Sequence, residues 1–182
     1  MGGGEVLTKL TIWIAVALYF AGAGAYALSR GRRRWDSLAR LSWTAACAAL
    51  LAHVACAFHV YHGWSHAAAY QDTARQTAEV FRIDWGGGLW VNYALAALWV
   101  ADVCWWWAGG LGAYRRRPWP LAFAWHAFLL FIVFNATVVF EGGFVRWAGL
   151  GLCAALVFVW LSAARKTLTR GPVGDSLGVA CD

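Results

Sequence analysis

Five long apolar stretches separated by polar connections organise this chain: Leu7–Leu28, Leu41–Tyr61, Leu89–Gly109, Pro120–Phe140 and Trp147–Ala164. Each is close to the roughly 20 residues that an α-helix needs to cross a bilayer. No ten-residue segment of alternating polarity appears, so a β-barrel has no support in the pattern. Helices satisfy their own backbone in lipid. The pattern therefore predicts an all-α integral membrane bundle of five transmembrane helices, one domain over residues 1–164. Residues 165–182 are left as a short tail, expected to be disordered.

The second connection is the long one. Within it, Ala67–Phe81 carries Tyr70, Ala74, Ala78 and Phe81 at helical spacing, interspersed with Asp72, Arg75, Glu79 and Arg82. That predicts an extra interfacial helix after the second span. Gly86, Gly87 and Gly88 then supply a turn into the third span. The first and fifth spans are rich in small residues: Ala17, Ala21 and Ala25 every fourth position, and Gly149, Gly151, Ala154 and Ala155. Such rows are expected to be faces where helices approach closely.

Composition agrees with a membrane protein. Of 182 residues 62% are hydrophobic and 13% charged, with a mean hydropathy of +0.54, against roughly 25% charged in soluble domains. Fourteen tryptophans suit the two membrane–water boundaries. The net charge of +6 does not indicate nucleic acid, because eleven of the fifteen basic residues sit in the first connection, the third connection and the tail. Under the positive-inside rule that places the amino terminus outside and the carboxyl terminus in the cytoplasm, in the cytoplasmic (inner) membrane. The bilayer is the expected partner, with a homo-oligomer or other membrane subunits beside it. Thr11–Ala25 has the look of a signal-peptide core, with Ala25-Tyr26-Ala27 as a cleavage site. The arginines that follow fit a retained helix better. None of the five cysteines (Cys47, Cys56, Cys104, Cys153, Cys181) falls in an outer connection, so no disulfide framework is implied.

The chemistry of interest is in histidines. Four of the five, His53, His59, His62 and His66, lie within fourteen residues at the end of the second span. At ~100° per residue of helix, His59, His62 and His66 share one face. Imidazoles in such a row can hold a metal, with Cys56 one turn deeper as a soft ligand and Glu141 at the end of the fourth span as a carboxylate. Copper or zinc is the expected cofactor there. His53 is phased away from the row, and with His126 it offers two axial ligands for b-type haem.

Intramembrane ionisable residues point to function by default. Asp102 in the third span and His126 in the fourth are expected at equal depth near the inner boundary, as a hydrogen-bonded proton pair. The leading expectation is membrane metal handling or metal- or haem-dependent redox work at an outward-facing histidine cluster. The alternatives are a proton-coupled transporter or channel subunit, and a non-catalytic assembly partner.

Overall fold

A computed structural model describes residues 2–29 and 33–168. Among them every regular element is helical: α1 (Gly3–Ser29), α2 (Arg33–Tyr61), α3 (His66–Phe81), α4 (Gly88–Arg115), α5 (Trp119–Phe134) and α6 (Gly143–Leu168). A single π-helical turn, Asn135–Val139, extends α5. Five helices, all but α3, are long and apolar enough to cross a membrane, and each falls on one of the five predicted spans. The chain is a multi-pass membrane protein. The expected tail begins as a continuation of α6 through Leu168. The rest of that tail, with Lys166's side chain, Arg170 and Cys181, lies outside the described residues, as do Arg30, Arg32 and the side chain of Arg33.

Helices α1 and α2 form an antiparallel hairpin held by close backbone approach. A Cβ on Gly22 would come 3.2 Å from the Trp43 amide nitrogen and 3.5 Å from the Ala39 carbonyl oxygen. At the other end, a Cβ on Gly4 would come 2.8 Å from the Val60 side chain. The buried face of α1 is Ala15, Tyr19, Gly22 and Ala23, at spacings of four and three. Ala17 and Ala21, expected on the packing face, are exposed and only Ala25 of that row is buried. Tyr19 claims the core position, and the small row is rotated away from it. On α6 likewise, Gly149, Cys153 and Leu156 face inward while Gly151, Ala154 and Ala155 are exposed. Gly149 meets the Thr137 side chain of the π turn, so a larger residue there would collide with it.

The core is aromatic. Tyr19, Trp43, Trp99, Trp106 and Tyr114 are all buried, and neighbouring rings lie edge-on or tilted at 5.3–6.1 Å where Tyr19, Trp43 and Trp99 meet. Such pairs add to simple burial.

Two breaks in the helices decide where the polar groups fall. Between α2 and α3, Gly63 (φ 53°) and Trp64 (φ 62°) are both left-handed, a conformation costly for a non-glycine residue. The Trp64 amide bonds to the Phe58 carbonyl at 3.0 Å, and the Ser65 hydroxyl caps α3 by accepting from the Ala68 amide at 3.2 Å. The helix does not continue through the histidines. In α4, Gly110 adopts φ 66°, ψ 176°, a region open essentially to glycine alone. The chain turns back there, and residues 111–117 fold against the bundle's end.

Candidate functional site

The Gly110 turn builds a buried polar network at the end shared by the α1 C-terminus, the α2 N-terminus and the α4–α5 connection. Tyr114 stacks on Trp106 with ring centroids 4.1 Å apart and 11° between planes. That contact carries its hydroxyl to Asp102 Oδ2, to which it donates at 2.8 Å. Trp43 Nε1 of α2 donates to the same oxygen at 2.8 Å. Arg117 Nη1 donates to Asp102 Oδ1 at 2.6 Å, with its guanidinium 4.0 Å above the Tyr114 ring. The side chains of Arg117 and Asp102 are only 3% and 8% exposed.

His126 joins through Arg117. Arg117 Nη2 donates to His126 Nε2 at 3.3 Å, which puts the imidazole proton on Nδ1. The ring sits among Tyr26, Trp43 and Trp160, with centroids 5.3–5.9 Å away. The expected Asp102–His126 pair is therefore a trio: the two residues lie on either side of Arg117. Arg115 reinforces the arrangement from outside, donating to Asp36 at 2.8 Å and to the Ser29 hydroxyl.

Arg115 and Arg117 read in the sequence as charges that fix topology. Both do more than that: they pair with aspartates, and of the three consecutive arginines Arg117 alone is buried. The overlooked signal was a carboxylate inside a span followed, after Gly109-Gly110, by three arginines. A buried carboxylate needs a partner, and a diglycine break lets the following chain return to supply one.

At the opposite end the predicted metal row is not assembled. His59 closes α2, His62 lies in the turn, and His66 opens α3, so the left-handed residues Gly63 and Trp64 destroy the shared helical phase. His66 Nδ1 hydrogen-bonds to the Tyr93 hydroxyl at 3.0 Å and packs on Trp90. His62 packs on Phe58. Glu141 is placed elsewhere: its neighbour Phe140 touches Phe81, fifteen residues along α3 from His66, or ~22 Å. Cys56 is half-buried on α2. Among the described residues, no three His, Cys, Asp or Glu side chains gather as a metal site.

The haem pair is also apart. His53 Nδ1 donates to the Thr8 carbonyl at 2.9 Å, whereas His126 touches Trp43. Trp43 and His53 are ten residues apart on α2, or ~15 Å along its axis. Two imidazoles that share one iron must face each other across it, which this separation prevents.

On α3, Arg75 bridges Asp72 and Glu79; the hydrogen bond to Asp72, with the charges of both carboxylates, raises its pKa further above the ordinary value.

No family model, curated protein or solved structure matches this chain. Function has to be argued from the network itself.

Proposed function

We propose that the protein is a proton-coupled transporter or channel subunit whose gate is the Asp102–Arg117–His126 network. The observation that carries this reading is Arg117, an arginine almost wholly buried at a helix-bundle end while bridging a carboxylate and an imidazole. Charge inside a membrane bundle is costly and marks ion or proton pathways. The return segment after Gly110 holds the bundle end shut through these contacts, and protonation of Asp102 would weaken the hold while leaving the Arg117–His126 contact in place.

The gate belongs on the cytoplasmic side. Among described side chains, its end carries Arg34, Arg40, Arg115, Arg116, Arg117 and Arg165 against Asp36 and Asp102. The opposite end balances Lys9, Arg75, Arg82 and Arg146 against Glu5, Asp72, Glu79, Asp84 and Glu141. The positive-inside rule then puts the histidine end outside, with α3 along the outer interface. The metal reading loses the shared helical face on which it stood.

The test is reconstitution. Purified protein in vesicles loaded with a pH-sensitive dye should dissipate an imposed pH gradient, and Asp102→Asn should abolish this while staying monodisperse. Wild-type vesicles as tight as empty ones, or an Asp102→Asn protein as active as wild type, would refute the gate.

A second reading, a non-catalytic assembly partner, is favoured by the exposed small residues Ala17 and Ala21 on α1 and Gly151, Ala154 and Ala155 on α6. Co-purification in a stable complex whose assembly tolerates Asp102→Asn would favour it.

A further inference from the structure

The buried groups that lack partners have one polarity. Among the described residues, six buried side-chain atoms have no hydrogen-bond partner: Tyr19 Oη, Trp99 Nε1, Trp106 Nε1, Trp125 Nε1, Arg117 Nε and His126 Nδ1. Five are N–H donors, His126 Nδ1 being one because Nε2 accepts from Arg117, and the sixth is a hydroxyl that can donate. No carboxylate or amide oxygen is among them. An interior with surplus donors and no surplus acceptors favours a ligand that only accepts.

Five of the six, all but Trp125, belong to side chains in one chain of contacts, with Arg117 joined through His126. Tyr26 contacts both Trp106 and His126; Trp43 contacts both His126 and Trp99; Trp99 contacts Tyr19. Tyr19 and Trp99 also line a cavity of about 40 Å³ between α1, α2, α4 and α5, together with Leu50, Leu95 and Leu129. That is about the space of one water molecule, but its accessible lining is apolar and offers an anion no donor. The polar end of the set is therefore Arg117 and His126, whose Nε and Nδ1 are both buried without a partner.

Charge accounting then couples the ligand to a proton. With Asp102 ionised, the Asp102–Arg117 pair is neutral, and an anion brought to Arg117 would leave one net negative charge in a buried site. With a proton on Asp102, its bond to Arg117 loses one charge, and an anion on the guanidinium restores neutrality. Resting on the gate reading above, we propose that the protein binds a small monovalent inorganic anion at Arg117, together with one proton on Asp102. The proton comes from water at the basic end and returns to water when the anion leaves. Other charged or titratable groups around the pair are Tyr26 of α1, Asp36 and Cys47 of α2, Tyr114 and Arg115 of α4, and His126 of α5. Asp36 is already held by Arg115, which leaves Asp102 as the carboxylate in contact with Arg117.

Chloride is the probe, with gluconate as the oversized control. Calorimetric titration of the purified full-length protein at pH 5 and pH 8 should give saturable chloride binding that is tighter at the lower pH, as uptake of a proton with the anion requires. Asp102→Asn should bind without pH dependence. In vesicles, an inward chloride gradient should draw protons inward. No saturable chloride binding by monodisperse protein, or equal affinity at both pH values, overturns the proposal. Proton flux indifferent to chloride also overturns it while sparing the gate; absence of any flux removes both.

Discussion

Asp102 and Arg117 are the pair whose replacement is most informative. Asp102 accepts three hydrogen bonds, from Trp43 and Tyr114 at 2.8 Å and from Arg117 at 2.6 Å, and both charged side chains are nearly inaccessible. Asp102→Leu strands a guanidinium and two donors; Arg117→Met strands a carboxylate. Breaking a buried pair by removing one member costs about 3–5 kcal/mol. Replacing both with apolar groups of similar volume is close to neutral, because the desolvation of the two charges is recovered. The double variant Asp102→Leu/Arg117→Met should therefore lie several kcal/mol above the sum of its parents. Reversible unfolding in mixed detergent micelles, followed by tryptophan fluorescence, measures the four corners of the cycle. If the two single effects add to within about 0.5 kcal/mol, the residues do not depend on each other and the network described here is wrong.

Further outcomes follow from the same geometry. Gly110→Ala forces a side chain into a glycine-only conformation and should cost about 1–3 kcal/mol; cysteine accessibility at Tyr114→Cys should rise in that background, measured by maleimide labelling. Gly149→Val collides with Thr137 whereas Gly151→Ala meets open space, so the first should lower Tm markedly and the second leave it unchanged. Ser65→Ala removes the α3 cap and should cost about 0.5–2 kcal/mol, visible as faster amide exchange over residues 66–69.

The spans were legible because their signal is spread over some twenty residues each and survives local error. Helix α3 was legible for the same reason, and its observed start at His66 is one residue from the expected Ala67. What failed were inferences that extended a helix through a single residue. Gly63 and Trp64 break the phase of the histidines, and a glycine followed by tryptophan is a weak stop signal beside the strong helix formers around it. The small-residue rows misled because Ala and Gly suit lipid as well as a neighbouring helix; Tyr19 and Cys153 mark the inward faces instead. Asp102 and His126 were singled out as a pair, and each is found in contact with Arg117. Arg117 was missed because the third connection was treated as lying outside the bundle, and a return through a glycine kink leaves no trace in hydrophobic periodicity.

The composition of the gate bears on why it is charged at all. Stability alone gives no reason to bury an arginine against an aspartate, since an apolar pair of the same volume holds a bundle end as well or better. What a charged pair has and an apolar one lacks is a second state reached by a single proton. In this chain the pair is also connected: Tyr114 ties it to the Gly110 turn through Trp106, Trp43 ties it to α2, and His126 ties it to α5. A change of charge at Asp102 acts on the contacts that hold the return segment to two other helices. His126 sharpens this, because as a neutral acceptor it retains Arg117 whatever the state of Asp102. The guanidinium then stays in place when the carboxylate is neutralised, and its edge becomes available to another anion.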